Sequence, residues 1–314
     1  RQGFAETRTP LLVRSPGMEV HIRPFSVSSY AQTDSVSSFL PTSPEFAMKK
    51  LLVGGLEKIF QICPAFRDEP RSKTHSPEFT MLEWYRTQAG YEDIMRDTEE
   101  LFEHLAIKIF GKPKLHYQGQ EISLKAPWPR LKVRDLFLEM AGVDLIRCPT
   151  TALLALECKK LNISVNPAQD TWDDLFFRIW LNQIEPRLPT NQAVFITRYP
   201  TSQAALAKID QDPDGTYWAK RFEVFAGGLE LGNAFEELTD PIEQKNRFEK
   251  AMKERELIYG AAFPASPIDQ EFLTALHEGM PSSGGIAMGV DRIVMLFADE
   301  IDIDYTFWLS ACLA

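Results

Sequence analysis

The sequence predicts an α+β fold: an antiparallel β-sheet flanked by helices. Strand-like runs come in close pairs joined by glycine-bearing turns, at 114–125 around Gly119 and at 222–231 around Gly227-Gly228. Such hairpins set neighbouring strands antiparallel. Helical periodicity gathers in blocks between these pairs and does not alternate with every strand, as a doubly wound parallel sheet requires. The Walker A and GxGxxG spacings are absent from the 314 residues, as are HExxH and GxSxG.

Residues 1–40 mix short apolar runs with Ser, Pro and Thr and read as loop and strand, with a hairpin from Ser26 through Phe39. Glu45 to Leu52 reads as a short helix, with Ser43 as its N-cap, Pro44 at its first position and Gly54-Gly55 as its stop. Lys58 to Cys63 and Phe79 to Tyr85 read as strands. Over Tyr91 to Phe110, Ile94, Leu101, Leu105 and Ile109 recur at helical spacing, and Gly111-Lys-Pro113 ends the helix. Three helices follow between Val133 and Ile184, divided by Pro149 and by Asn166-Pro167. Ala193 to Thr197 is a strand, Ile242 to Tyr259 a charged helix, and Gly284 to Phe297 a glycine-bearing strand that passes into a helix. The helical block at about 128–190 interrupts a strand-rich remainder, so the expectation is one domain over 1–314 carrying a helical insertion.

A net charge of −10 argues against broad electrostatic attraction to nucleic acid, although a local basic patch can outweigh a global sum. With 44% hydrophobic and 25% charged residues the composition is that of an ordinary globular protein. No apolar run approaches the ~20 residues of a membrane span, and no signal peptide is visible. Cys63, Cys148, Cys158 and Cys312 lie far apart with no CxxC pair, which speaks against disulfides and zinc and for a reduced, cytoplasmic chain.

Three constellations carry chemistry. The first spans 66–85. If both runs are extended, Arg67 and Glu69 share one strand face, and Phe79, Met81, Glu83 and Tyr85 share another. An arginine, carboxylates, a ring and a phenol then suit a ligand with phosphate, a flat ring and a cationic tail. A surface ion pair for Arg67 and Glu69, and a core position for Phe79, are the competing readings. Of the five histidines, His75 alone lies in a suggestive context. In the second constellation, the turn at Gly227-Gly228 brings Glu223 and Glu230 near each other on adjacent strands. Two carboxylates without a cation repel. A magnesium ion, completed by nucleotide phosphates, resolves that; two solvated carboxylates are the alternative. Strict alternation puts Glu230 and Asn233 on opposite faces unless Gly232 marks a bulge. The third is Ser283 to Arg292, where glycines admit a ligand close to the backbone and Arg292 sits in a helix's first turn. A tight strand–helix packing joint explains the same glycines.

Together these segments resemble motifs 2 and 3 of class II aminoacyl-tRNA synthetases, with metal-carboxylate strands between them. The lysyl-tRNA synthetase branch is the most similar, through Thr42-Ser-Pro-Glu45, Lys49-Lys-Leu-Leu-Val-Gly-Gly55, His75-Ser-Pro-Glu-Phe-Thr80 and Glu230-Leu-Gly-Asn233. The match runs from about Phe4 to the C-terminus and is weakest around 128–190. Within that branch the chain resembles the paralogue family that β-lysylates translation elongation factor P, which has no anticodon-binding domain. Met81-Leu-Glu-Trp-Tyr-Arg86, Tyr199-Pro-Thr-Ser-Gln-Ala-Ala-Leu-Ala207 and Ala287 carry that closer likeness. Lysyl-tRNA synthetases usually have glycine where Ala287 stands.

The resemblance implies an ATP-dependent ligase that activates lysine, specifically (R)-β-lysine, as an adenylate and transfers it to a lysine of elongation factor P. The alternative it leaves is a lysyl-tRNA synthetase catalytic domain charging tRNA with α-lysine. Arg67 would hold the α-phosphate and Glu69 the adenine amino group, with Phe79 stacked on adenine and His75 and Arg292 on the outer phosphates. Arg67 and Arg292 would be the catalytic pair. Glu223 and Glu230 would hold Mg²⁺, Glu230 thereby also reaching ATP. Glu45 and Asn233 would contact the amino and carboxylate groups of lysine; Glu83, Tyr85 and Glu237 would bind its distal ammonium, with Ala287 in the pocket wall. A homodimer is expected from the family alone, because motif 1 is represented only by Gly3-Phe4 through Pro10. Ala234 replaces the glycine usual after the asparagine.

Overall fold

Alternating apolar residues set the strands, and glycines in left-handed conformation set the turns between them. The coordinates are a computed structural model and describe residues 2–28, 38–260, 263 and 266–309. In chain order the strands are β1 (Ala5–Glu6), β2 (Ser26–Val27), β3 (Ser38–Phe39), β4 (Lys58–Phe66), β5 (Glu78–Thr87), β6 (Lys114–Tyr117), β7 (Gln120–Ser123), β8 (Arg130–Lys132), β9 (Val194–Tyr199), β10 (Ile209–Gln211), β11 (Tyr217–Ala226), β12 (Leu229–Glu236) and β13 (Ser283–Gly289). The helices are α1 (Glu45–Val53), α2 (Tyr91–Phe110), α3 (Val133–Leu136), α4 (Thr151–Lys160), α5 (Trp172–Ile179), α6 (Pro241–Tyr259), α7 (Gln270–Gly279) and α8 (Val290–Ala298). Both predicted hairpin turns form: Gln118 and Gly119 have φ of 53° and 74°, and Gly227 and Gly228 have 61° and 80°. Two consecutive positive φ values suit the twist of a hairpin.

The chain divides into two compact units, one up to Ile94 and from Leu231 onward, the other Met95–Glu230. In the first unit the strand order is β1-β4-β5-β13-β12, antiparallel except for β1 on β4. Helix α1 packs on α7 through the stacked rings of Phe46 and Phe272, 4.9 Å apart, with Phe248 of α6 against both. In the second unit β9 lies parallel to β8 and antiparallel to β11, and β10 pairs with the start of β11. Trp128, Phe195 and Phe222 form one cluster of its core, and Phe137, Phe176 and Trp180 join α3, α5 and the π-helical segments that continue them. The α+β class and its mainly antiparallel pairing hold. Among the described residues no helix is long and apolar enough to cross a membrane.

Several local expectations change. Pro44, not Ser43, occupies the cap of α1, and the helix starts at Glu45. Register between β12 and β13 runs unbroken from Gly232 to Glu236, so no bulge follows Gly232 on that side; between β11 and β9 the register shifts between Ala219 and Phe222. Helix α7 has no counterpart in the predicted elements. Strands β2 and β3 pair as the hairpin over 26–39 requires, while its middle, 29–37, and Cys312 lie outside the described residues.

Candidate functional site

In the first unit the odd-numbered residues of β5 project from one face of the sheet. Glu83 stands opposite Gln61 of β4 and Ala287 of β13, and Ala287 stands opposite Asn233 of β12. Directly opposed residues of antiparallel strands share a face, so Glu83, Ala287 and Asn233 form one row. Tyr85 pairs with Gly285 in the next row. The glycine is required there: a Cβ on Gly285 would lie 2.2 Å from the Tyr85 ring and 2.9 Å from Glu237 Oε1. At Gly284 a Cβ would meet Ile94 at 2.7 Å. These glycines admit the protein's own side chains, where the sequence had also allowed for a ligand.

The row opens into a buried acidic recess. Glu83 is fully buried; Ser43 Oγ donates to its Oε1 at 2.5 Å and Tyr85 Oη to its Oε2 at 2.8 Å. Burial, and then the neighbouring Glu45, push its carboxyl up to about 8. The Tyr85 phenol is also pushed well up, by burial and then by Glu83. Glu237 is fully buried as well, and its Oε2 lies 2.5 Å from Lys49 Nζ. The same ammonium lies 2.5 Å from Glu45 Oε1, one helical turn earlier on α1. Lys49 is itself buried, with its Nζ 5.9 Å from the Tyr85 ring centroid. Burial works against its charge, but Glu237 and then Glu45 outweigh burial and raise its pKa above the ordinary lysine value. The recess therefore brings together Glu45, Glu83, Glu237 and Tyr85, the residues that the resemblance groups around lysine, with a resident cation that it does not include. The signal for Lys49 was the i,i+4 spacing from Glu45 on a helix whose buried face also holds Phe46 and Leu52. Ser43 was likewise missed in this role; its hydroxyl accepts from the Glu45 N–H at 3.0 Å and donates to Glu83.

A second cluster joins the loop between β4 and β5 to the start of α8. The guanidinium of Arg67 lies over the Phe79 ring, 5.2 Å from its centroid. Its buried Nε has no hydrogen-bond partner among the described residues. Arg292 donates from Nε to the Thr74 carbonyl at 3.0 Å and from Nη2 to His75 Nε2 at 2.8 Å. Burial, then Arg292, hold the His75 pKa below the ordinary histidine value, so its Nε2 is free to accept. Asp291 accepts the Thr80 N–H at 2.6 Å and ties α8 to β5. Glu69 departs from expectation. Strand β4 ends at Phe66, and the Glu69 N–H donates to the Arg67 carbonyl at 2.9 Å, a three-residue turn that replaces the extended geometry on which a shared face with Arg67 depended. Glu69 still acts electrostatically on His75, as does Arg67.

In the second unit Glu223 is buried on β11. Its Oε2 accepts from Tyr199 Oη at 2.5 Å and its Oε1 from Arg221 Nη2 at 2.5 Å. Burial pushes its carboxyl up to about 7, with Arg221 opposing and Glu230 reinforcing the shift. Glu230, across the Gly227-Gly228 turn, is exposed. Arg221 already offsets part of the Glu223 charge, so a hard cation such as Mg²⁺ would share that carboxylate with the guanidinium, take Glu230 as a second oxygen ligand and draw its remaining ligands from elsewhere. Among the described residues no group of three or more His, Cys, Asp or Glu could hold a metal alone.

The family model described as tRNA synthetases class II (D, K and N) matches residues 1–309. The protein named lysine--tRNA ligase of Pelotomaculum thermopropionicum is 38% identical over 305 residues, which are 96% of this chain and 58% of the relative. That of Carboxydothermus hydrogenoformans is 38% identical over 306 residues, with 96% and 60% covered, and that of Coxiella burnetii 36% over 303, with 96% and 59% covered. The chain thus spans somewhat under two thirds of the length of these relatives. With a family match over nearly its whole length, the chain belongs to the class II tRNA synthetases of the D, K and N group.

Proposed function

We propose that this protein activates lysine with ATP, forming a lysyl-adenylate and pyrophosphate. The observation that carries the reading is Glu83, a fully buried carboxyl group whose hydrogen-bond partners are the hydroxyls of Ser43 and Tyr85. A buried acid with no cation in contact is costly. The distal ammonium of lysine supplies that cation. At an effective dielectric near 20, a carboxylate at ~4 Å contributes about 4 kcal/mol of attraction before desolvation. Tyr85 and Glu237 complete this end, and Glu45 and Asn233 take the amino and carboxylate groups.

Arg67 and Arg292 grip the phosphates, for which the guanidinium fork is suited; the unpartnered Arg67 Nε supports this. Neutral His75 orients Arg292 without adding a like charge. Arg67 covers one face of Phe79, so adenine stacks on the other, with Glu69 on its amino group. Glu223 and Glu230 would hold Mg²⁺, which supplies charge neutralisation for the phosphates. The lysine carboxylate is already an anion and attacks the α-phosphorus in line as pyrophosphate departs. Positioning and fixed charge therefore suffice, without a general base. Purified protein is expected to exchange pyrophosphate into ATP in a lysine-dependent manner. Exchange with neither α-lysine nor (R)-β-lysine would remove the reading.

For the acyl acceptor, the names of the relatives favour tRNA. Transfer to a lysine of elongation factor P is the second reading, and Ala287 favours it. This residue stands between Glu83 and Asn233 in the sheet, and its methyl narrows the recess where the synthetase resemblance expects glycine. Overpacking by one methyl costs on the order of 1–3 kcal/mol, enough to change preference between α- and β-amino substrates. Faster adenylation of (R)-β-lysine, with label passing to elongation factor P, supports the second reading; charging of tRNA with α-lysine supports the first. A homodimer is part of either proposal.

A further inference from the structure

Lys49 has no part in the reading above, yet it is buried nearly as deeply as Glu237 and more deeply than Glu45. Its stem lies in the buried face of α1 with Phe46 and Leu52, and its ammonium contacts Glu45 on its own helix and Glu237 just beyond β12. Glu83 and Tyr85 on β5 form a separate hydroxyl–carboxylate pair beside it. Glu19, from the loop before β2, acts on Glu45 from outside. The recess is thus two linked groups: an ion triad and the Glu83 carboxyl held by hydroxyls. Removing the lysine from such a triad leaves two buried carboxylates without a counter-ion, which is far costlier than the pair is stabilising. Its double contact and its place on a packed helix face also argue that the ammonium stays when a substrate arrives.

We propose that Lys49 is a positioning residue of the recess: it ties Glu45, at the end that meets the substrate's amino group, to Glu237, at the end that meets the distal ammonium, and it sets the charge of the site. Once the incoming substrate drives the Glu83 proton to solvent, three carboxylates less one ammonium leave a formal charge of −2, the number of ammonium groups a diamino acid brings. This inference rests on the lysine-activation reading.

The test is pyrophosphate exchange by the full chain carrying Lys49→Arg or Lys49→Met, with KM for lysine and for ATP measured separately between pH 6.5 and 8.5. In Lys49→Met the freed carboxylates take up protons at neutral pH, which a cationic substrate must expel. The KM for lysine is therefore expected to rise at least tenfold at pH 7 and to fall as pH rises, while the KM for ATP changes less than twofold. Lys49→Arg keeps the charge but not the shape; it is expected to raise the lysine KM about threefold with the ATP KM unchanged. If Lys49→Met does not fold, the arginine variant alone decides. A lysine KM that is unchanged or lower, or that rises only in step with the ATP KM, overturns the proposal: a lower value would mean that Lys49 competes with the substrate. Wild-type protein with no lysine-dependent exchange overturns the functional reading itself and takes this proposal with it.

Discussion

At the scale of one residue, the strongest tension in the molecule is at Glu83. Its carboxyl, pushed up to about 8 by burial and by Glu45, holds a proton at neutral pH that the unfolded chain would have released. Stability from this group is therefore greatest below the unfolded carboxyl value of about 4.5 and is lost as pH rises through about 8. Glu83→Gln keeps the shape and removes the titration. The variant is expected to match the parent in thermal midpoint near pH 5 and to exceed it by several degrees at pH 8.5. The same change removes the carboxyl group proposed to receive the distal ammonium of lysine. Loss of a charge-assisted contact of about 3 kcal/mol predicts a fall of roughly a hundredfold in kcat/KM for lysine. A stabilised but inactive variant is the outcome that separates a site residue from a structural one; a variant that loses stability at pH 8.5 would mean that the buried carboxylate is satisfied as it stands.

At the scale of an element, β13 does two kinds of work with adjacent glycines. Gly285→Ala would drive a methyl into the Tyr85 ring, 2.2 Å away, and towards Glu237. Gly284→Ala would meet Ile94 and the Gly90 carbonyl, on the side of the strand away from the recess. Both are expected to destabilise by about 1–3 kcal/mol, measurable by denaturant unfolding. Only Gly285→Ala should also raise the lysine KM, by roughly tenfold, because only it displaces a recess side chain. What sequence could and could not foretell divides along the same lines. Turn glycines at 119 and 227–228 and the long period of α2 act locally, so both hairpins and the helix Tyr91–Phe110 were legible. Helix α7 was missed although Asp269 caps it, accepting the Phe272 N–H, and Phe272, Leu273 and Leu276 line its buried face. It is only ten residues long, and the prolines just before it broke up the local pattern. The Lys49–Glu237 pair joins residues far apart in the sequence, and nothing in the local pattern of either residue announces the other. The turn at Glu69 was lost for the opposite reason: a backbone bond to Arg67 overrode an alternation that looked like a continuing strand.

At the scale of the whole molecule, charge bears on the acceptor. The chain carries 34 Lys and Arg against 44 Asp and Glu, and several of its cations are spent on internal pairs: Lys49 in the recess, Arg221 on Glu223, Arg178 on Asp170 and Arg198 on Asp212. Affinity for a nucleic acid without sequence readout comes almost wholly from cations that neutralise phosphates, and it falls steeply with salt. A protein with this balance is expected to bind bulk tRNA weakly, with no saturation below about 10 μM at physiological salt, within the non-specific range. A filter-binding titration at several salt concentrations measures this directly. Tight binding with a steep salt slope would reveal a basic surface that outweighs the net charge and would count for tRNA as acceptor. Weak, salt-insensitive binding, together with an active lysine-dependent exchange, would mean that activation by this chain does not depend on tRNA contact, and it would move the weight towards a protein amine.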